Sequence, residues 1–419
     1  MNIPHSTAAL AAGTGRRPLA ALLRRPLHRL LRRLLRAVHC GALVVHLPDG
    51  RRLEARGAAD GPHAALTLHR WRALARLALA GDIGLAEAYR DGDWSTDDLP
   101  ALLEFGLRNE AAWGGALDAP WPVRALFRLA HRARANTRRG SRQNISFHYD
   151  LGNGFYAQWL DPELIYSSAL YAPGVQSLEE AQAAKLERVL ALLQLDRLPG
   201  PASILEIGCG WGALAAAMAR RHPAAITGLT LSAEQLAHAG ARLRREGLDG
   251  QVELRLQDYR DVEGEHDRIV SIEMLEAVGE RYWPVYFETL RERLRPGGIA
   301  VLQVITIADA HFEHYRRGAD FIQRFIFPGG MLPSVAALRA QAGRAGLSFT
   351  VAESFGPSYA ATLAEWRRRF LQAWPAIEAL GFDEPFKRLW AYYLGYCEAG
   401  FRTGRVDVGL YVLTKDAAA

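Results

Sequence analysis

The stretch Ile204-Leu205-Glu206-Ile207-Gly208-Cys209-Gly210-Trp211-Gly212 decides the fold of this chain. An apolar run leads to Glu206, three glycines alternate with other residues, and a helical pattern follows from Ala213 to Arg220. Glycines at this spacing let the backbone turn sharply out of a strand and approach a ligand at the start of a helix. The stretch therefore predicts a strand, a ligand-binding loop and a helix, in that order.

The acidic residue of this loop indicates the kind of ligand. Glu206 is unfavourable beside the pyrophosphate of a dinucleotide, which uses a similar loop, but it suits the ammonium group of a methionine moiety. Polar residues then follow the next two predicted strands, where a ribose and an adenine would lie. S-adenosylmethionine is therefore the predicted cofactor; the alternative is a turn that only joins a strand to a helix. The predicted cofactor residues are Glu206, Gly208, Gly210, Gly212, Thr230, Ser232, Gln235, Asp258 and Tyr259.

Strand-like and helical segments alternate over the larger part of the chain. The predicted strands are 203–207, 225–229, 253–257, 268–272 and 299–304, with helical patterns between most of them. This alternation is typical of a doubly wound parallel sheet. Segment 406–414 alternates well enough to be its edge strand.

The length of 419 residues favours two units rather than one. We expect a basic amphipathic lead-in over residues 1–40, a small α+β domain over 41–125, a basic linker or surface helix over 126–143 and the cofactor-binding domain over 144–419. The cysteines Cys40, Cys209 and Cys397 are too far apart for a disulfide framework or a metal site, and no other cluster has metal-ligand spacing. No metal is expected, and a reducing compartment is the default.

The net charge of +6 is unevenly distributed. No acidic residue precedes Asp49, while arginines recur between leucines at helical spacing over 16–36. Such a helix suits an anionic membrane surface, where each basic side chain contributes about 1 kcal/mol. The alternatives are a disordered lead-in and a helix docked on its own domain. Nucleic acid is not expected as a partner, because no aromatic residues alternate with the arginines.

Several further motifs resemble one known family. They are His148-Tyr149-Asp150-Leu151-Gly152-Asn153, the cofactor loop with its Trp211, Thr230-Leu231-Ser232-Ala233-Glu234-Gln235, 256–261, 267–271, Phe325-Ile326-Phe327-Pro328-Gly329-Gly330, 332–334, and Tyr392-Tyr393-Leu394 before Cys397. Together they are similar to the cyclopropane-fatty-acyl-phospholipid synthases and mycolic acid methyltransferases. The likeness runs from about residue 145 to 413. The N-terminal unit looks like the extra domain of the phospholipid-acting members.

The resemblance implies a fold, a reaction and a location. The fold would be a seven-stranded, Rossmann-like class I methyltransferase sheet with a small N-terminal α+β domain. The reaction would be methyl transfer from S-adenosylmethionine to a cis double bond in a membrane phospholipid, with Tyr166 and Ser167 also at the cofactor. The protein would be cytoplasmic, associated peripherally with the inner face of the membrane, and a possible homodimer. Aromatic side chains such as Tyr166, Tyr171, Phe321, Phe325 and Tyr359 would line the acyl pocket or belong to the core.

The resemblance also places a bicarbonate ion as the base that removes a proton after methyl transfer. The family's ligands correspond to Glu276 and Tyr359, but Ser168 stands where the family has Cys, and Gln303 stands where it has His. Serine and glutamine still donate hydrogen bonds, yet neither carries charge. Bicarbonate binding is therefore in question. Cys397 matches a cysteine regarded as a candidate catalytic residue of the family.

Glu273, three residues before Glu276, is a further carboxylate where the family has a small residue. A second carboxylate there would raise one pKa and supply a base from the protein itself. The interpretation that we favour from the sequence is a solvated or salt-bridged side chain at the end of a strand.

Two products follow from the position of the base. Loss of a proton from the transferred methyl closes a cyclopropane, which is the first hypothesis. Loss from a neighbouring chain carbon leaves a methyl-branched alkene, which Ser168 and Gln303 favour. A methyltransferase for a soluble natural product and a lipid carrier on an inactive methyltransferase fold are the remaining alternatives; the basic helix opposes the former and the intact loop opposes the latter.

Overall fold

The computed structural model describes residues 17–114, 119–133, 136–138, 140–141, 144, 151–174 and 177–417. The motif residues His148, Tyr149 and Asp150 lie outside this described part, as does the beginning of the basic lead-in. Among the described residues, no helix is long and apolar enough to cross a membrane.

A four-stranded sheet and three helices form the N-terminal unit. The elements are α1 (Arg17–Arg36), β1 (Cys40–His46), β2 (Arg52–Arg56), β3 (Ala59–Leu68), α2 (Arg72–Arg90), β4 (Trp94–Ser95) and α3 (Leu99–Trp113). The strand order is β2-β1-β3-β4, with β1 antiparallel to β2 and parallel to β3. Buried Asn109 of α3 accepts hydrogen bonds from the backbone amides of His39 and Cys40, which fixes α3 against the start of β1.

Helix α1 is docked on its own domain, one of the alternatives considered for this segment. Its Leu31 and Leu34 are buried in the core that the N-terminal unit shares with the rest of the chain. The next helix, α4 (Trp121–Ala133), lies at the surface and spans the predicted boundary between residues 125 and 126.

The second unit is built on a seven-stranded sheet of order β10-β11-β9-β8-β5-β6-β7. Its strands are β5 (Ala202–Ile207), β6 (Ala224–Thr230), β7 (Val252–Leu256), β8 (His266–Ile272), β9 (Leu294–Ile307), β10 (Ser348–Ser354) and β11 (Val406–Thr414). Strands β5 to β9 are parallel, and β11 is antiparallel to both of its neighbours. The doubly wound α/β fold is therefore confirmed, and each of the five predicted parallel strands overlaps a real one.

The prediction of 406–414 as the edge strand is wrong in position. The strand forms, but β11 lies between β9 and β10, and its central residues are buried. Strand β10 takes the edge, and it escaped prediction because most of its side chains remain exposed or half-exposed and give no clear apolar alternation.

The remaining helices cover the two faces of this sheet and its ends. They are α5 (Asn153–Tyr156), α6 (Leu178–Leu193), α7 (Ala213–Arg221), α8 (Ala233–Glu246), α9 (Trp283–Arg293), α10 (Asp309–Tyr315), α11 (Phe321–Phe325), α12 (Val335–Arg344), α13 (Gly356–Gln372), α14 (Trp374–Ala379) and α15 (Glu384–Arg402). Helix α15 packs against α13 and also against α2 and α3. It therefore joins the N-terminal unit to the second unit through a common core.

Candidate active site

One large cavity extends from the carboxyl ends of the parallel strands into the N-terminal unit. Its volume is about 950 Å³. At one end it is lined by Gly208 and Gly210 after β5 and by Thr230 at the end of β6. At the other end its wall is leucine-rich and comes from α1, β3 and α2, through Leu31, Leu34, Leu68, Leu74 and Leu77. Ligands bind at the carboxyl edge of doubly wound sheets, so this cavity is the candidate active site.

The glycine loop adopts the conformation that its sequence predicts. Gly208, Gly210 and Gly212 have φ of 87°, 53° and 85°, a region that other residues rarely occupy. A Cβ at Gly212 would lie 3.0 Å from the Cβ of Ala239, so α7 and α8 approach too closely there for a side chain. Trp211 donates from Nε1 to Oδ1 of Asn153 at 2.7 Å, which ties the loop to α5.

Glu206, within β5, is the charged group of this loop. Its side chain is buried, and Oε2 has no hydrogen-bond partner among the residues that the structure describes. Burial raises its pKa to about 8, although the ammonium of buried Lys185 opposes that shift. A buried oxygen without a partner is costly. The orphaned oxygen and the glycine cradle fit a ligand with an ammonium group, as S-adenosylmethionine has.

The other predicted cofactor residues occupy two layers. Tyr166, Thr230, Gln235 and Tyr259 line the cavity together with the loop glycines 208 and 210. The second layer supports the first. Ser232 accepts from the amide of Gln235 and caps α8. Ser167 accepts from Lys185, and Asp258 holds Arg260 at 2.6 Å. Burial would raise the pKa of Asp258, but the bonds from Arg260 hold it below its usual value.

Glu273 lies directly after β8, with φ of 47°, and its carboxylate is the centre of a hydrogen-bond cluster. Oε1 accepts from the backbone amide of Ser168 at 2.8 Å and from Nε2 of Gln303 at 2.7 Å. Oε2 accepts from the hydroxyl of Tyr359 at 2.7 Å. The favoured interpretation of Glu273 as solvated or salt-bridged is therefore wrong. Three donors converge on it from distant segments, and its remaining surface lines the cavity.

Burial raises the pKa of Glu273, and the bond from Tyr359 is the strongest of the effects that oppose it. Glu276, in the 3-10 turn Leu275–Ala277, also lines the cavity. Its Oε1 accepts from the backbone amide of Ile305 at 2.5 Å. Burial and the neighbouring charge of Glu273 raise the pKa of Glu276 to about 8. Glu276 therefore keeps its proton near neutral pH.

The predicted catalytic residues take different positions around this pair. Tyr359 and Cys397 line the cavity, and burial raises the pKa of both, so each keeps its proton near neutral pH. Ser168 and Gln303 are fully buried behind Glu273. The hydroxyl of Ser168 donates to the carbonyl of Ala169, so only its backbone amide serves the cluster.

The residues here do not fit a bicarbonate ion at the position that the resemblance implies. The amide of Ser168, the amide nitrogen of Gln303 and the hydroxyl of Tyr359 already donate to the carboxylate of Glu273. A second anion against the same donors would lie beside a buried carboxylate, with no charged His or Cys side chain to help hold it. Bicarbonate is therefore given no role in the reaction.

Three features of the site were missed from the sequence. Lys185 of α6 is buried between the loop and the Glu273 cluster, and burial lowers its pKa to about 8 while the field of Glu273 supports its charge. Tyr393 joins the cavity wall through a 2.9 Å bond to Tyr166. The leucine-rich wall of the N-terminal unit is the third. Only the last left a signal, the leucines of residues 23–35, for which a membrane surface and docking on the chain's own domain were both considered.

Of the aromatic residues considered for the acyl pocket, two line the cavity, Tyr166 and Tyr359. Phe321 is buried core, and Tyr171 and Phe325 pack against that core.

Comparison with known proteins agrees with this geometry. The family model for mycolic acid cyclopropane synthetase matches residues 136–410. The chain belongs to this family. It is therefore an S-adenosylmethionine-dependent lipid methyltransferase of the cyclopropane synthase type, and the predicted family, enzyme class and cofactor are confirmed.

Two relatives resemble nearly the whole chain. The tuberculostearic acid methyltransferase UfaA1 of Mycobacterium tuberculosis is 39% identical, over 86% of each chain. The cyclopropane-fatty-acyl-phospholipid synthase of Escherichia coli is 37% identical, over 81% of this chain and 85% of its own. Among solved structures, the mycolic acid cyclopropane synthase CmaA1, complexed with SAH and CTAB, is 30% identical, with a TM-score of 0.59 over 65% of this chain and 98% of its own. The family's members thus carry different product names.

Proposed function

We propose that the protein transfers a methyl group to a cis double bond in an acyl chain of a membrane phospholipid. The observation that supports this proposal is that one cavity joins the cofactor loop to the N-terminal unit. This cavity is lined by glycines of the cofactor loop, by Glu273 and Tyr359, and by the leucine-rich wall of the N-terminal unit. A long apolar space that begins at a methyl-donor site suits an acyl chain better than a small polar acceptor.

The alkene is a weak and uncharged nucleophile, so the protein must position it and exclude water. S-adenosylmethionine supplies the electrophilic methyl group when bound. The leucines of the N-terminal unit would hold the chain, and Tyr166 and Tyr359 would place aromatic faces near the double bond. These aromatic faces and the carboxylate of Glu273 would stabilise the cation that forms on the chain after methyl transfer.

The first candidate product is a cyclopropane, which forms when the transferred methyl loses a proton. The second is a methyl-branched alkene, which forms when a neighbouring chain carbon loses it. Ser168 and Gln303, in place of the family's Cys and His, favour the second candidate. The relative UfaA1 is named for tuberculostearic acid rather than for a cyclopropane, and this name supports the second candidate.

The test uses purified protein, S-adenosylmethionine with a labelled methyl group, and liposomes of phosphatidylglycerol with cis-unsaturated chains. We expect label in the esterified acyl chains, and mass spectrometry then distinguishes ring from branch. Liposomes with saturated chains are the matched control and should take up no label. Absence of label from the unsaturated lipid would end the proposal for both products.

A further inference from the structure

We propose that Glu273 is the base of this enzyme and that its carboxylate takes the place of an external anion. The inference rests on the proposed function, since it concerns the proton lost after methyl transfer. Glu273 is a carboxylate in the cavity wall beside Gly208, and three donors fix its orientation.

The hydrogen-bond count leaves Glu273 able to accept a proton. An ionised carboxylate has about four lone-pair sites. Oε1 uses two of them, for Ser168 and Gln303, while Oε2 uses one, for Tyr359. One site on Oε2 therefore remains, on a side chain that faces the cavity. Tyr359 keeps its own proton because burial holds its pKa well above the usual value.

The backbone supports this placement. Glu273 has a left-handed φ of 47°, which is unfavourable for a residue with a side chain. Its amide donates to the carbonyl of Gln303 at 2.8 Å, so main chain and side chain are both held against β9. Strained backbone of this kind persists where the surroundings fix it, and it concentrates at functional sites.

The step balances within the proposed reaction. The π electrons of the alkene form the new bond to the methyl carbon, and the electron pair of the broken carbon–sulfur bond stays on sulfur. The chain is left with a cation. Glu273 then accepts a proton, and the electron pair of that carbon–hydrogen bond closes the ring or forms a new double bond. No oxidant or reductant is needed for either product.

The test compares the wild type with Glu273→Gln and Glu273→Gly in buffer freed of bicarbonate. We expect wild-type turnover to be independent of added bicarbonate, and Glu273→Gln to lose at least about a hundredfold in turnover with unchanged affinity for S-adenosylmethionine by calorimetry. Glu273→Gly suits the positive φ and opens the anion site, so bicarbonate or formate should restore part of its activity. Glu280→Gln, at a half-exposed glutamate of the same loop that pairs with Arg316, is the matched control.

Bicarbonate-dependent wild-type turnover, or full activity of Glu273→Gln, would overturn the inference. Absence of methylation by the wild type itself would instead contradict the proposed function, so the two failures are distinguishable. A Glu273→Gly variant that binds cofactor normally but responds to no added anion would also contradict the inference.

A second inference comes from helix α4, and we propose that it docks on the surface of an anionic phospholipid bilayer. Its outward face is apolar. Trp121, Leu126 and Leu129 are 75%, 62% and 66% exposed. Trp121, Ala125 and Leu129 follow at intervals of four and share one side of the helix, while Phe127 is turned inward against Arg324.

Charge and position identify the occupant of this face. Arg124 and Arg128 lie between the apolar residues and add positive charge. Both line the large cavity, as does Trp121, so α4 lies at the wall of the space that is proposed to take the acyl chain. A bilayer with anionic headgroups supplies an apolar layer, negative charge and the substrate itself. In helix α1, the other basic amphipathic helix, Leu31 and Leu34 are buried in the protein's own core.

The test measures sedimentation with phosphatidylglycerol vesicles and with neutral phosphatidylcholine vesicles. Leu126→Ser combined with Leu129→Ser should weaken binding to phosphatidylglycerol by at least about tenfold, because neither side chain lines the cavity and both meet the lipid. Turnover of substrate dispersed in detergent should stay unchanged. Leu371→Ser with Leu380→Ser, exposed leucines elsewhere on the surface, is the control.

Wild-type binding by the α4 variant, or equal loss in the control, would overturn this second inference. Because sedimentation needs no catalysis, its outcome is independent of the proposed reaction.

Discussion

Glu206 and Glu273 lie near the carboxyl ends of neighbouring parallel strands, β5 and β8, and burial raises the pKa of both. Their partners differ. Glu206 keeps an oxygen without a partner in the described part of the chain, whereas the chain itself supplies three donors to Glu273. A buried polar group without a hydrogen-bond partner indicates a place for a ligand. A buried polar group whose partners all come from the chain needs no ligand to complete its hydrogen bonds. The cofactor end therefore depends on a ligand, and the base end does not.

The substitution Glu206→Gln should have the largest effect, on the affinity for S-adenosylmethionine. It removes the negative charge opposite the ammonium of the cofactor, and truncating one member of a buried charge pair costs about 2–5 kcal/mol. We expect affinity for S-adenosylmethionine, measured by calorimetry, to fall by at least about thirtyfold. Glu273→Gln, a like change one strand away, should keep wild-type affinity. Equal losses in the two variants would show that the carboxylates do not have separate roles.

Tyr359→Phe should have the next largest effect. The bond from Tyr359 lowers the pKa of Glu273, so its loss raises that pKa and leaves less of the ionised base at a given pH. We expect turnover to fall by about tenfold near neutral pH and the acidic limb of the pH–rate profile to move to higher pH. Rates measured from pH 5 to 9 test this. An unmoved limb would mean that Tyr359 only packs against Phe401, its neighbour at a 4.5 Å ring distance.

The stability of the protein without cofactor should fall as pH rises from about 5 to about 8. Glu206 has a pKa of about 8 when folded, against an ordinary value of 4.5, so the folded state binds more protons than the unfolded state across this range. Deprotonation therefore favours unfolding. Thermal denaturation should show the slope, and Glu206→Gln should reduce it. S-adenosylmethionine should reduce it too, because its ammonium favours the charged carboxylate; an unchanged slope would contradict the assignment of Glu206.

The smallest effect is expected for Ser168→Ala. The hydroxyl of Ser168 donates to the carbonyl of Ala169, and Glu273 receives only the backbone amide, which the substitution keeps. Turnover should stay within about threefold of the wild type, the range for loss of one local hydrogen bond. A large loss would restore the sequence-based role of the Ser168 side chain at the base site.

Features that depend on neighbours in the chain could be predicted from the sequence. The loop glycines 208, 210 and 212 adopt positive φ, which glycine does readily, so their identity predicts the turn. The parallel strands were predicted because apolar runs alternate with helical patterns. Strand β10, largely exposed, carried no such signal, and without it β11 was assigned to the wrong place in the sheet.

The base site depends on contacts across much longer separations. Glu273 meets Ser168 from 105 residues away, Tyr359 from 86 and Gln303 from 30. Sequence reasoning named all of these residues, but it took Glu273 for a solvated side chain because nothing local shows which donors converge on a carboxylate. The sequence left the role of the α1 leucines open for the same reason: an amphipathic helix presents the same pattern to a membrane and to its own core.

The sequence by itself determined the cofactor loop, the family and the methyl-transfer chemistry, because the loop is one continuous segment whose glycines and Glu206 act on a ligand through local geometry. Only the tertiary structure decided that the N-terminal unit lines the same cavity as the cofactor loop and that donors from three distant segments surround Glu273. Burial raises the pKa of that carboxylate and hydrogen bonds fix its direction, and both arise from packing that brings remote parts of the chain together.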